Sequence, residues 1–292
     1  MIVVTTPTGN VGSQVLSELV SGDEPIRVIA RDPGRLTPAT RERVEVVPGS
    51  HSDSAVVNKA GADSVFWLVP PDPRAASVEA AYVDFTRPAS QAFRAQGVKR
   101  VVGISALGRG TPWASKAGLA TASLAMDDLV ASSGVSYRPL TMPSFMDNLV
   151  RQAASITKDG VFSLPINGDR KLPSVATRDI ARAAAMRLRD HTWNGVASVP
   201  LLGPEDLSYN DMARILSDVL GRPVRFEQIS DEAYKARLLA RGMSDAMAQG
   251  NVDMWIAKDH GIDNAVTRTA DASTPTSFSD WAQQAYRPRV AA

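Results

Sequence analysis

The chain has 292 residues, 44% of them apolar, with a formal net charge of +1. That is enough apolar material for a large core, and scattered basic residues in a near-neutral chain argue against nucleic-acid binding. With no cysteine there can be no disulfide, thiolate nucleophile or thiolate metal site, and the three histidines, His51, His191 and His260, lie too far apart for a helical ligand pair, so no metal is expected.

The first half alternates short apolar runs with helical patterns. Residues 1–5, 26–30, 44–47, 64–69, 99–104 and 135–140 read as strands; 13–20, 75–96 and 119–132 read as helices. Continuous apolar strands separated by helices predict an α/β fold, a doubly wound parallel Rossmann sheet covered on both faces. After Leu149 the pattern changes. The stretches 160–165 and 167–173 look turn-rich, 177–189 and 208–220 look helical, and 229–249 reads as a helix pair broken at Gly242. Trp281 falls in a short terminal helix. Ser208 and Asp211 stand at capping-box spacing, and Gly221 with Pro223 closes that helix. This half reads as a smaller C-terminal substrate-binding cap without a core of its own. The expected division is 1–150 for the dinucleotide-binding domain and 151–292 for the cap, interleaved with it. No run nears the roughly 20 apolar residues that cross a bilayer, and the start MIVVTT is strand-like, unlike a signal peptide. A soluble, cytoplasmic protein is expected, without membrane or nucleic-acid partners.

Between the first strand and first helix lies Thr6-Pro7-Thr8-Gly9-Asn10-Val11-Gly12. A helix N-terminus offers amide hydrogens and partial positive charge to a phosphate, provided that the backbone can come close. Gly9 gives that approach, and Gly12 lets helix and strand pack tightly. The second strand ends Ala30-Arg31-Asp32-Pro33-Gly34-Arg35, at the spacing where an adenosine ribose is read. Arg31, with Arg35 nearby, suits a 2′-phosphate and hence NADPH. Asp32 keeps NADH open as the less favoured cofactor. Leu68, Val69 and Ser105, at the ends of later strands, complete the expected cofactor wall.

With these pieces the chain resembles the NmrA-like family of atypical short-chain dehydrogenases, including its quinone-reductase type. The resemblance rests on Thr5-Thr6-Pro7-Thr8-Gly9-Asn10-Val11-Gly12, Gly61-Ala62-Asp63-Ser64-Val65-Phe66-Trp67-Leu68, Gly97-Val98-Lys99-Arg100-Val101-Val102 and Ile104-Ser105-Ala106-Leu107-Gly108. Ala176-Thr177-Arg178-Asp179-Ile180-Ala181, Leu202-Gly203-Pro204-Glu205 and Val219-Leu220-Gly221-Arg222-Pro223-Val224 follow in the family's order. There are departures. Thr6 replaces the fingerprint's first glycine, Ser50 stands where an acidic residue is common, and Thr141-Met142-Pro143 replaces an Arg-Pro-Gly.

The tyrosine–lysine acid pair of typical short-chain dehydrogenases is missing. None of Tyr82, Tyr137, Tyr209, Tyr234 or Tyr286 has lysine four residues on; Trp113-Ala114-Ser115-Lys116 is the nearest imitation, and Ser123 stands where relatives carry lysine. Hydride transfer does not require that pair, because the cofactor supplies the hydride and the protein supplies position and field. The resemblance then implies an NADPH-dependent reductase of a quinone or aromatic, polyketide-like carbonyl. The competing expectation is a non-catalytic NADP(H) sensor that contacts a protein partner. Ser105 is the candidate hydrogen-bond partner of the substrate oxygen. Trp113, Met142, Phe145, Met146 and Trp255 are candidates for a flat apolar pocket, with Asp147 and Asn148 as polar neighbours. Asp179 is expected to orient its helix start, and a homodimer fits this class.

Overall fold

A computed structural model of the chain describes residues 1–287. These divide into two compact units, each assembled from separated stretches.

The first unit comprises Met1–Ser105, Ala122–Thr141 and Ile180–Val199. Its strands are β1 (Ile2–Thr5), β2 (Ile26–Ala30), β3 (Glu45–Pro48), β4 (Ser64–Trp67), β5 (Arg100–Ala106) and β6 (Ser136–Met142). The order is β3-β2-β1-β4-β5-β6, with Val199–Pro200 as a seventh strand beside β6. Pairing is parallel from β3 through β5, and Val4 sits opposite Val28 on one side and Phe66 on the other. All residues of β1 and β4 are buried, which is why each carries three consecutive apolar residues rather than an alternating pattern. The sheet reverses direction of growth between β1 and β4. Ligands of such sheets lie outside the carboxyl ends of the strands at that point.

Between β4 and β5 the sequence predicts one helix over 75–96. The structure instead starts later, with a widened π turn at Ala80–Asp84 leading into the helix Phe85–Ala95. Pro88 explains the difference: it has no amide hydrogen and its ring crowds the carbonyl four residues back, which a wider turn relieves. Phe93, Trp67 and Val101 then pack in the core beneath the sheet.

The second unit comprises Ala106–Thr121, Met142–Asp179 and the described part of Pro200–Ala292. Here the sequence reading needs correction twice. The turn-rich stretches contain strands: Val161–Leu164 pairs in parallel with Arg225–Gln228, and Leu172–Val175 lies between Asp206–Leu207 and Ser144–Phe145. Each strand is four residues or fewer, too short for alternation to stand out among flanking turn residues. The unit also has its own core. Ile156, Phe162, Leu216, Phe278, Trp281 and Tyr286 are fully or almost fully buried in one cluster. Elements scattered along the chain supply it, so no single stretch advertised it.

The helix pair is present as Asp231–Ala240 and Asp245–Asp259, with Gly242 at φ +80 between them and Ser244 capping the second. Helix Tyr209–Leu220 begins with the reciprocal cap: the Ser208 hydroxyl accepts from the Asp211 amide at 3.0 Å, and Asp211 accepts from the Ser208 amide at 3.0 Å. No described helix is long and apolar enough to cross a membrane.

Candidate functional site

The glycine turn lies where β1 hands over to helix Asn10–Leu19, at the reversal point of the sheet. Gly9 is the N-cap, no side chain caps the helix, and no acidic residue sits in its first turn. The helix mouth therefore keeps its partial positive charge for an external anion. A Cβ on Gly12 would lie 2.1 Å from the Thr6 carbonyl oxygen, whereas one on Gly9 would meet only Thr6 atoms at 3.4 Å or more. Gly12 is thus required by the close crossing of turn and helix, while Gly9 leaves approach space.

Thr6 shows the cost of its departure from glycine. It is the single non-glycine with positive φ among the described residues, at +51, a left-handed conformation that a β-branched side chain resists. Its buried hydroxyl oxygen has no hydrogen-bond partner. An orphaned donor beside an uncapped helix mouth suits an oxyanion, so the turn fits a diphosphate despite the threonine.

Arg31 and Arg35 are both exposed beyond β2. Asp32, the residue that kept NADH open, uses its carboxylate to accept from the Gly34 amide at 3.0 Å, capping the short turn Pro33–Arg35. That engagement ties Asp32 to its own loop. Beneath lies His51, buried and hydrogen-bonded at 3.0 Å through Nε2 to the Leu68 carbonyl. Its ring meets Trp67 and Phe85 edge-on at 5.0 and 4.9 Å. Burial, aided by the positive Arg31, lowers its pKa to about 4, and the Leu68 bond only partly offsets this. Leu68 also donates its amide to the Thr5 hydroxyl at 3.1 Å, which fixes the end of β4 against β1.

At the end of β5, Ser105 is buried and donates to Asp127 at 2.5 Å; the Tyr137 hydroxyl donates to the other oxygen of Asp127 at 2.6 Å. Ser123, which the sequence reading set where a lysine is expected, lies 3.4 Å from the Ser105 oxygen. Sequence reading put Ser105 beside the substrate oxygen; in the structure its proton goes to Asp127. It missed Asp127 and its link to Tyr137, because an aspartate in a helix carries no sign of what it faces.

The candidates for an apolar pocket separate within the second unit. Phe145, Met146 and Trp255 line one small cavity, partly open to solvent, together with Tyr209, Ser144 and Met212. Trp113 and Met142 are not in its lining: Trp113 stacks on His260 at 4.4 Å, and Met142 is buried at the end of β6. Asn148 borders the cavity, while Asp147 accepts from the Thr177 amide at 3.2 Å and so holds a helix start. Asp179 accepts from both the amide and the hydroxyl of Thr276 at 3.0 Å, fastening the C-terminal segment to its own helix start. Tyr209, a wall of this cavity, was passed over because nothing local distinguishes it from a core tyrosine.

Residues 1–282 match the NmrA-like family. The chain belongs to that family. It is 33% identical over 243 residues to the (4-alkanoyl-5-oxo-2,5-dihydrofuran-3-yl)methyl phosphate reductase of Streptomyces griseus, covering 82% of this chain and 81% of that one. It is 27% identical over 257 residues to the NAD(P)H azoreductase of Xenophilus azovorans, covering 87% and 86%. Among solved structures, the NADPH-dependent quinone oxidoreductase of Escherichia coli, complexed with NADPH, shares the fold with a TM-score of 0.76 at 22% identity, covering 98% of this chain and 100% of that one.

Proposed function

We propose that this protein is an NADPH-dependent reductase that passes hydride to a quinone or related aromatic carbonyl. The observation that carries the reading is the uncapped helix mouth, where Gly12 allows close crossing and the buried Thr6 hydroxyl lacks a partner. Thr6, Thr8, Gly9, Asn10, Val11 and Gly12 would hold the diphosphate, Arg31 and Arg35 the 2′-phosphate, and Leu68, Val69 and Ser105 the remaining wall. Bound there, NADPH supplies the hydride. Ser105 spends its hydroxyl hydrogen on a bond to Asp127 and keeps its lone pairs, so it suits accepting from a cofactor group rather than protonating a substrate. A quinone tolerates this: hydride and one proton convert it to the hydroquinone, and water delivers the proton to an oxygen already stabilised by the ring. The relatives named for reduction of an azo compound, a quinone and a furanone support a reductase of this kind. Nothing in the site favours the competing sensor reading.

The test is NADPH oxidation followed by absorbance against a panel of quinones and aromatic ketones, beside calorimetry with NADPH. Cofactor binding with quinone-dependent oxidation is expected. Absence of binding heat would remove the reading, and binding without any turnover would remove its catalytic half.

A further inference from the structure

The cavity of the second unit has a composition that its size alone does not explain. It is a small recess, partly open to solvent, and its lining includes the rings of Phe145, Tyr209 and Trp255. None of its eleven lining side chains carries a charge. The Gln152 amide is used up locally: its nitrogen donates to the Ser163 carbonyl at 3.2 Å and its oxygen accepts from the Ser163 amide at 2.9 Å.

Tyr209 and Ser144 both line the cavity, with the Ser144 hydroxyl within reach of the phenol. The Tyr209 ring is held on several sides, stacked on Phe226 at 5.2 Å and met edge-on by Trp255 at 6.1 Å and Phe162 at 6.3 Å. Its hydroxyl direction is fixed by that packing. Burial raises the phenol well above its ordinary pKa, so it stays protonated and can donate. Trp255 is anchored as a flat wall, because its indole nitrogen donates to the Tyr234 hydroxyl at 3.1 Å. Flat apolar walls plus one oriented donor recognise a planar ring bearing an acceptor oxygen. An anionic group pressed against these walls would lose part of its hydration and find no charged side chain in the lining.

We infer that this cavity selects uncharged planar aromatic carbonyl compounds, with the Tyr209–Ser144 pair holding the carbonyl oxygen, and rejects phosphorylated or sulfonated ones. The inference rests on the reductase reading for its place in turnover, but not for binding. It sets this chain apart from its 33%-identical relative, which is named for a phosphate ester substrate.

Calorimetric titration of the full chain with naphthoquinone and with naphthoquinone sulfonate tests it, and the lack of cysteine prevents thiol adducts with either probe. The neutral quinone should bind at least about tenfold more tightly, and Tyr209→Phe should remove about tenfold of its affinity while leaving the weak sulfonate binding unchanged. Ser144→Ala, a smaller change, should weaken naphthoquinone several-fold, and stands in if Tyr209→Phe lowers the yield of folded protein. Equal affinities for the two probes, or no loss in either variant, would overturn the inference. Parallel titration with NADPH separates the two readings. Selective quinone binding without NADPH binding sinks only the reductase reading; NADPH binding with unselective quinone binding sinks only this one.

Discussion

The two units bury comparable kinds of surface by different means. In the first, a sheet of parallel strands has continuous apolar runs, and the core follows from each strand singly. In the second, strands of two to four residues and separate helices pool their aromatic residues, as Phe162, Phe226, Tyr209 and Trp255 do. The first arrangement places backbone amides at strand ends, where an anion is met by geometry rather than by side-chain choice. The second places side chains around a space, so its ligand is set by residue identity. Under the proposed function, cofactor class and substrate class are then encoded in different physical terms within one chain.

The largest effect should come from emptying the second core. Phe162→Ala removes a fully buried ring from the aromatic cluster and should cost about 3–5 kcal/mol of stability in denaturant unfolding. NADPH affinity of the folded protein should stay within about twofold, since the glycine turn belongs to the first unit. A parallel collapse of cofactor binding would break the contrast between the units.

Acid should act next, and through the first unit. His51 has a folded pKa of about 4 against an ordinary 6.5, so above pH 6.5 neither folded nor unfolded chain carries its proton and the group contributes nothing. As the pH falls from 6.5 towards 4, the unfolded chain takes up a proton that the folded chain refuses, and stability drops by roughly 3 kcal/mol. Urea midpoints measured across that window should show the decline, and His51→Asn should flatten it. An unchanged slope in the variant would move the acid sensitivity elsewhere.

Arg31→Ala should weaken NADPH by about 1–3 kcal/mol and leave NADH nearly unaffected, read by calorimetry with both nucleotides. Equal losses would show that Arg31 does not read the 2′-phosphate. Smallest, and opposite in sign for stability and binding, is Thr6→Gly. Relief of the positive φ should outweigh the added freedom of the unfolded chain and raise stability by up to about 1 kcal/mol. Loss of the hydroxyl should cost about 1 kcal/mol of NADPH affinity if it donates to the diphosphate. Tighter NADPH binding would show that the threonine obstructs the site.

Much of the first unit was legible because its signals are local. The run Ile26–Ala30 and the helices Leu119–Ser132 and Thr177–Arg189 agree with the sequence expectation to the residue, since burial on both faces or on one stripe writes itself into consecutive positions. The cap at Ser208 was readable for the same reason. The π turn before Pro88 was not, because a proline announces disruption without saying how the chain absorbs it.

By itself, then, the sequence determined the parallel sheet, the glycine turn at its reversal point and the basic tip of β2, all features of neighbouring residues whose backbone demands are steric. Tertiary structure alone decided that Asp32 turns to its own loop, that Ser105 donates to Asp127, and that Tyr209 and Ser144 line one cavity without charged walls. Those outcomes depend on which distant side chains share a small volume. A hydroxyl or carboxylate has the same intrinsic chemistry in any of these surroundings until packing chooses its partner.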